Sequence, residues 1–328
     1  MSDNKFKISM NENFTLFIIL ILLVITFSIM LPGQFFSLGN FQSMTFQLPE
    51  LGILTLAMMI TMITGGINLS IIASANLSGI IMALIMKNLL PATPTNFETF
   101  WIILLAIAAG LVISALIGLV NGFIISFFDV SAILATLGTS TLLEGIALVI
   151  TKGYVISGFP RGLLAIGNES IIGIPIPLII FIGVAILVAV ILNRSKMGLS
   201  TYMMGSNIKA TKFSGINVEK ATIKVYILSG LLSGVASIIM LSRFNSAKAG
   251  YGSSYLLATV LISVLGGTNP NGGFGKVSGV VLGIVLLQVI SSGLNLLGMS
   301  QFLSMALWGI LLLAVEGLRL IKRNKFTF

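Results

Sequence analysis

Thr64-Gly65-Gly66-Ile67-Asn68-Leu69-Ser70 is a polar, glycine-rich stretch that interrupts a long apolar sequence, and we name it the first break. A second stretch of the same kind, Gly266-Gly267-Thr268-Asn269-Pro270-Asn271-Gly272-Gly273, is named the second break. Irregular backbone inside a bilayer leaves N–H and C=O groups without partners, so it survives only where protein or a watery cavity surrounds it. Both breaks are predicted near mid-membrane depth, which indicates a conduit rather than a membrane anchor.

The composition is that of a polytopic membrane protein. Hydrophobic residues make up 56% of the 328 residues and charged residues only 8%, whereas about 25% of a soluble domain is charged. The absence of Cys and His excludes disulfides, thiolate chemistry and imidazole bases, and it removes the commonest zinc ligands. The nine carboxylates are scattered, without the close pair that glycoside hydrolysis or a carboxylate metal cage needs. Neither catalysis by the chain itself nor a metal site is expected.

Apolar runs of about 20 residues, long enough to cross roughly 30 Å of hydrocarbon, occur about ten times. They are predicted near 14–31, 44–63, 67–86, 101–127, 130–150, 173–192, 221–241, 254–265, 274–298 and 301–318. The run at 254–265 is too short to span alone, which is typical of half a broken helix or a re-entrant segment. The predicted fold is an all-α polytopic membrane protein with about ten transmembrane segments and discontinuous helices at the Gly-Gly breaks.

The distribution of positive charge predicts the orientation. With a cytoplasmic tail over 1–13, a transmembrane domain over 14–318 and a basic cytoplasmic tail over 319–328, thirteen of the 18 Lys and Arg residues lie inside. The five outside are Lys87, Lys152, Arg161, Arg243 and Lys248. This asymmetry follows the positive-inside rule, so both termini are predicted to be cytoplasmic. The net charge of +9 therefore reflects topology and not nucleic-acid binding.

The longest polar stretch on the predicted cytoplasmic side is 193–220, which we name the coupling loop. Asn207 suits a helix N-cap and Gly215 suits the left-handed position after a helix end, which predicts a short helix between them. Ala210 and Phe213, three residues apart, would share one face of that helix. The loop is either an ordinary basic loop or a docking helix that inserts an apolar side chain into a cytoplasmic partner.

Four motifs, taken in order along the chain, carry a family resemblance that extends from about residue 45 to 315. The first two are the first break and the stretch Gly205 to Ile216 with Ser-Gly-Ile-Asn at 214–217. The other two are Val264-Leu265-Gly266-Gly267-Thr268 followed by Gly272-Gly273, and Gly293-Leu294-Asn295-Leu296-Leu297-Gly298. Together they resemble the ribose-type permeases of bacterial sugar ABC importers. The resemblance implies a subunit of the bacterial inner membrane, surrounded by lipid, that passes a monosaccharide or similar small polar solute.

The partners that the resemblance implies are a second permease, either a copy or a different chain, an extracytoplasmic solute-binding protein and ATPase subunits. The ATPase subunits would dock on the coupling loop, at Gly205, Asn207, Ala210, Phe213 and Gly215. The chain itself has no G-x-x-x-x-G-K-[ST] phosphate loop, and the closest approach is Gly273-Phe274-Gly275-Lys276-Val277. ATP is therefore expected on partner subunits, and no cofactor is expected on this chain.

The departures from the family pattern concern the solute. Members of the family usually carry Asp where this chain has Asn68, and Glu and Asp where it has Leu256 and Ala258. Acidic side chains offer strong acceptors to sugar hydroxyls, so their loss indicates a less polar passenger or a path already held by a partner subunit. The identity of the solute stays open.

The breaks are the predicted solute path. The residues predicted to line or frame it are Thr64, Gly65, Gly66, Asn68, Ser70, Gly266 and Gly267. Glycine lets backbone come close to a passenger, and unwound amides and carbonyls can bind it. The alternative is packing of small residues between helices, which uses the same residue types.

Carboxylates in or near the apolar runs allow a rival function. Glu144 is the deepest of them, whereas Glu50, Asp129 and Glu316 lie near run ends, where a side chain can reach the interface. A secondary transporter coupled to an ion or proton gradient through Glu144 is therefore the alternative. A membrane enzyme is a more distant one, because no nucleophile, base and orienting group can be assembled.

Overall fold

The computed structural model describes residues 12–91 and 93–324, which form helices and four two-residue strands. The helices are α1 (Glu12–Met30), α2 (Leu38–Ile63), α3 (Ile71–Leu89), α4 (Asn96–Phe127), α5 (Ala132–Thr151), α6 (Arg161–Asn168), α7 (Ile176–Arg194), α8 (Lys196–Ser206), α9 (Ile208–Phe213), α10 (Val218–Phe244), α11 (Tyr255–Leu265), α12 (Val277–Leu296) and α13 (Gln301–Asn324). The strands are β1 (Ile156–Ser157), β2 (Ser170–Ile171), β3 (Ile174–Pro175) and β4 (Ser246–Ala247), paired antiparallel as β1 with β4 and β2 with β3.

This architecture confirms the prediction of an all-α polytopic membrane protein. Seven of the described helices, α2, α3, α4, α5, α7, α10 and α12, are long and apolar enough to cross a membrane. Three shorter apolar segments lie in α1, α11 and α13. The number of about ten crossings stays a prediction. Most of the predicted tail 1–13 lies outside the described residues, whereas α13 continues past the predicted boundary at 318 to Asn324.

Helix α2 is the centre of the molecule. Every residue from Leu48 to Ile63 is buried, and α2 packs against α7, α10, α11 and α12. Helix α10 packs against α2, α3 and α4. Gly118 of α4 and Gly230 of α10 let these two helices approach each other closely, because a methyl group on either would overlap a carbonyl oxygen of the other helix. Small residues at such crossings are typical of membrane helix pairs.

The chain reverses direction at both breaks. Along α10, Ser229 faces Ala57 and Arg243 faces Glu50, so α2 runs antiparallel to α10. Helix α3 runs in the same direction as α10. It begins shortly after Asn68, which lies beside Ser229 of α10. Helices end at both breaks as expected, but each break joins two antiparallel helices instead of interrupting one span. Asn68 lies beside the middle of α10.

The coupling loop forms two short helices. Each starts at a capping side chain, Ser195 for α8 and Asn207 for α9, and Asn217 caps α10 directly afterwards. The Asn207 carboxamide accepts a hydrogen bond from the Ala210 amide at 3.0 Å, and Gly215 has φ +79°. The predicted N-cap and the predicted left-handed glycine are both confirmed, because each satisfies a backbone group that a helix end leaves open.

Candidate functional site

The first break is held by a buried network of polar side chains. Asn68 donates to the Ser229 hydroxyl at 3.0 Å, and the Ser70 hydroxyl donates to the Asn68 carbonyl oxygen at 2.8 Å. Asn121 of α4 donates to the Ser70 hydroxyl at 2.8 Å, and Ser229 donates to the carbonyl oxygen of Ala57 at 2.9 Å. The predicted path residues Asn68 and Ser70 are 2% and 1% exposed. Both are therefore part of a network that joins α2, α4 and α10 through the break.

Helix α5 fixes the backbone of the same break. The Thr136 hydroxyl accepts a hydrogen bond from the Leu69 amide at 3.0 Å, and it lies 3.0 Å from the carbonyl oxygen of Ile67. The unwound Leu69 amide thus has a protein partner, which is the condition for irregular backbone among membrane helices.

Two buried polar atoms beside the first break have no hydrogen-bond partner among the described residues. They are the side-chain carbonyl oxygen of Asn121 and the hydroxyl of Tyr226. Gly66 makes room for that hydroxyl, because a methyl group at Gly66 would lie 2.6 Å from the Tyr226 oxygen. Burying a polar group without a partner is costly. Both atoms can hydrogen-bond to a small polar molecule that reaches the break.

The second break is a tight glycine turn. The Asn269 amide donates to the carbonyl oxygen of Phe274 at 2.9 Å, and Gly272 and Gly273 adopt left-handed φ angles of +89° and +81°. The Gly273 amide donates to the carbonyl oxygen of Ile63 at 2.8 Å. This bond satisfies one of the carbonyl groups that the end of α2 leaves open.

The two breaks meet the coupling loop at one point, which we name the glycine junction: Ile63, Gly65, Gly205, Gly272 and Gly273. A methyl group at Gly205 would overlap the Ile63 carbonyl oxygen and the Gly273 amide nitrogen. A methyl group at Gly272 would lie 2.8 Å from both the Gly65 amide nitrogen and the Gly205 Cα. Three separate segments are therefore in direct backbone contact.

The remaining predicted residues lie either at the helix ends beside the two breaks or on the exposed helix α9. Gly266 and Gly267 form the turn from α11 towards α12, where a methyl group at Gly266 would lie 2.5 Å from the Val280 Cα. Thr64 caps the end of α2. Of the predicted path residues, Gly65 contacts the second break at Gly272, where Gly205 joins them, whereas Gly266 packs against α12.

Helix α9 presents the other predicted coupling residues to solvent. Phe213 is 92% exposed, Ile208 is 52% exposed, and Ala210 is exposed as well. Thr211, on the opposite face, is buried, and Lys212 pairs with Glu219 at 3.2 Å. The helix is therefore anchored to α10 while its apolar residues stay uncovered.

The sequence analysis missed a buried cluster at the middle of α2. Glu50 is 0% exposed, pairs with Arg243 at 2.8 Å and accepts a hydrogen bond from the Tyr255 hydroxyl at 2.6 Å. The expectation that Glu50 reaches an interface near a helix end is wrong, because α2 begins at Leu38 and continues through Pro49. The sequence signal that could have indicated this cluster was the lone Arg243 at the end of an apolar run, because a buried charge requires a partner.

Glu144 is exposed on α5 and lines a cavity of about 140 Å³ with Asn76 and Ser140. Asn76 already donates to the carbonyl oxygen of Tyr251 at 3.0 Å.

Comparison with known proteins identifies the family. The model of the family described as branched-chain amino acid transport system / permease component matches residues 40–316. The chain belongs to this family. No solved structure matches it.

Three relatives are similar over most of the chain. The ribose import permease protein RbsC of Bacillus subtilis is 35% identical over 300 residues, 90% of this chain and 89% of that protein. RbsC of Escherichia coli strain K12 is 34% identical over 303 residues, 90% of each chain. The autoinducer 2 import system permease protein LsrD of Yersinia enterocolitica is 30% identical over 271 residues, 81% of this chain and 78% of that protein.

The resemblance to ribose-type permeases is thereby confirmed, and the chain is the multi-pass permease subunit of an ABC importer of the bacterial inner membrane. Such a subunit is not an enzyme, since ATP hydrolysis takes place on separate ATP-binding subunits. A substrate-binding protein delivers the solute. The secondary transporter is not favoured.

Proposed function

We propose that this permease passes a monosaccharide or a similar small polar solute from an extracytoplasmic binding protein to the cytoplasm. The relatives named for ribose and for autoinducer 2 support this solute class. The chain works beside a second permease, a copy or a different chain. No cofactor is bound on this chain, and ATP binds to the partner subunits.

The ATPase subunits dock on α9. The observation that carries this proposal is the 92% exposure of Phe213 on a helix anchored beside the glycine junction. An uncovered aromatic residue on a short polar helix is the kind of anchor that fills a pocket on a partner. The end of α8, immediately before α9, is in backbone contact with both breaks, so a displacement of the docked helix reaches them directly.

The solute path is framed at its inner end by the two breaks. Its residues are Thr64, Gly65, Gly66, Asn68, Ser70, Gly266 and Gly267. The unpartnered Asn121 oxygen and Tyr226 hydroxyl support this placement, because they leave hydrogen-bonding capacity beside the first break.

Uptake by the complete importer tests the docking proposal. In proteoliposomes with its ATPase and binding protein, Phe213→Ala or Ala210→Asp lowers ATP-dependent uptake of D-ribose at least tenfold and releases the ATPase during purification. Phe36→Ala, which also removes an exposed phenylalanine, is the control and leaves uptake unchanged. Full uptake with Ala210→Asp and an unchanged amount of bound ATPase contradicts the proposal. Uptake that collapses with a protonophore at constant ATP indicates a secondary transporter instead.

Cysteine labelling tests the proposed orientation, in which both termini and the coupling loop are cytoplasmic. The chain has no Cys, so single replacements give clean signals. In intact cells, an impermeant maleimide labels Ser157→Cys and leaves Ser206→Cys and Thr327→Cys unlabelled; Thr327 lies outside the described residues. External labelling at position 206 contradicts this topology.

A further inference from the structure

A cavity of about 300 Å³ lies beside the middle of α2, between α2, α10, α11, α12 and α13. We name it the outer cavity. Its polar lining comes from Gln47, Gln288, Ser291, Asn295 and Ser304. At about 30 Å³ for each water molecule, it has the volume of about ten waters. Carboxamides and hydroxyls both donate and accept hydrogen bonds, so this lining matches a ligand that carries many hydroxyl groups.

Polar groups in the outer cavity have unused hydrogen-bonding capacity towards the part of the chain that the structure describes. Trp308 is 7% exposed and lines the cavity, and its indole N–H has no partner among the described residues. Gln288, 5% exposed, lies 3.5 Å from Gln47, which is at the long limit of a hydrogen bond. A buried indole N–H normally finds an acceptor. The cavity therefore needs a polar occupant.

The charge of the outer cavity favours a neutral occupant. Arg243 is the one charged residue among the described residues that line it, and it is paired at 2.8 Å with Glu50, so the pair carries no net charge. An anion would have to compete with Glu50, and an ammonium group would have to approach Arg243. The aromatic rings of Tyr255 and Trp308 add apolar faces that suit the C–H groups of a sugar ring.

The outer cavity is separated from the glycine junction. The path along α2 from Gln47 to Ile63 is about 24 Å at 1.5 Å per residue. Between them, the α2 side chains from Ile53 to Ile63 are 0% exposed, so packed side chains close this route. In the proposed orientation, α2 begins on the outside and ends at the glycine junction, so the outer cavity is nearer the outside than the junction is. The outer cavity lies on the side from which a binding protein delivers solute.

We propose that the outer cavity is a binding site for a neutral, polyhydroxylated solute of monosaccharide size. This inference rests on the proposed function and adds to it the place at which the permease first binds its solute. Gln47, Gln288 and Asn295 bind the hydroxyl groups, and Trp308 donates its indole N–H to an oxygen of the ring.

Fluorescence of Trp308 tests the site. The chain has two tryptophans, so Trp101→Phe leaves Trp308 as the sole indole. In nanodiscs, this variant is titrated with D-ribose, D-xylose and D-glucose as neutral probes. The charged probes, which carry ionised groups, are the zwitterion L-leucine and the anion D-glucuronate. The expected result is a saturable emission change with at least one neutral sugar and none with the charged probes. No saturable response to any neutral sugar up to 100 mM (a binding free energy of about 1.4 kcal/mol at the 1 M standard state), or a response to the charged probes alone, overturns the proposal.

A pair of variants on α2 supplies the matched control. Gln47→Leu, at the cavity, raises the half-saturating sugar concentration at least tenfold, whereas Gln42→Leu, exposed on the same helix, leaves it unchanged. Equal elution volumes and melting temperatures verify that both variants are folded. If the Phe213 variants abolish ATP-driven uptake but Gln47→Leu changes neither binding nor uptake, the outer cavity is not the site and the proposed function still stands. If uptake does not depend on ATP, the proposed function fails independently of the sugar titration.

Discussion

The middle and the end of α2 differ in how closely the chain is packed around them. At its end, backbone atoms of three segments touch, and Gly205 leaves no space for a methyl group. Around its middle, polar side chains surround about 300 Å³ of space beside a buried ion pair. Close packing transmits displacement because the touching atoms must move together. A polar cavity admits solute instead. One helix thus joins a region suited to mechanical coupling with a region suited to binding.

The largest expected effect comes from breaking the ion pair beside the outer cavity. Arg243→Met leaves Glu50, which is 0% exposed, without its cationic partner, and the expected loss is about 3–5 kcal/mol of unfolding free energy. Equilibrium unfolding in mixed micelles measures it. The control is Arg161→Met, an exposed site where a change of about 0.5 kcal/mol or less is expected. Equal stability of the two variants would mean that the pair contributes nothing to the stability of the packing around α2.

The glycine junction gives the next effect. Gly205→Ala places a methyl group on backbone atoms of Ile63 and Gly273, and backbone cannot rotate away as a side chain can, so we expect a loss of about 3 kcal/mol. Gly183→Ala in α7 is the matched control, because its methyl group meets nothing within 4 Å. Alanine there removes a flexible helical residue and stabilises by about 0.5–1 kcal/mol. Indistinguishable melting curves for the two variants would disprove close packing at the junction.

The sequence predicted the features that depend on local chemistry. Apolar run length located the long helices, and the capping preference of Asn and the left-handed preference of Gly located α9 between Asn207 and Gly215. Both breaks were located because a dense cluster of glycine and polar residues is a strong local signal for the end of a helix.

Features that depend on contacts distant in sequence could not be predicted. Nothing local in Gly205 or Gly273 indicates that the two residues touch, since either glycine fits an ordinary turn. Glu50 was misplaced because Pro49 resembles a helix boundary, whereas α2 continues through it. The partner Arg243 lies at the far end of α10, and only the antiparallel packing of α2 on α10 brings the two together.

Asn68→Leu is expected to have an intermediate effect, and it tests whether the first break is path or packing. The change removes the partners of Ser229 and Ser70 in a buried network, which costs about 2 kcal/mol. We also expect a lower uptake rate per folded permease and a weaker apparent affinity. Gly66→Ala is the comparison, because its methyl group meets the end of the Tyr226 side chain. If Asn68→Leu transports normally and Gly66→Ala lowers only protein abundance, the break is structural and the proposed path residues are wrong.

The smallest expected effect is at the contact between α8 and the second break. The Tyr202 hydroxyl donates to the carbonyl oxygen of Gly275 at 2.7 Å, so Tyr202→Phe removes one hydrogen bond, worth about 1 kcal/mol. Burial raises the pKa of the Tyr202 hydroxyl above its ordinary value, so it stays protonated and donating, and the loss should not change between about pH 6 and 9. Tyr154→Phe, at an exposed phenol, is the control. A loss as large as that of Gly205→Ala would mean that this hydrogen bond, and not the backbone contact of glycines, holds α8 against the breaks.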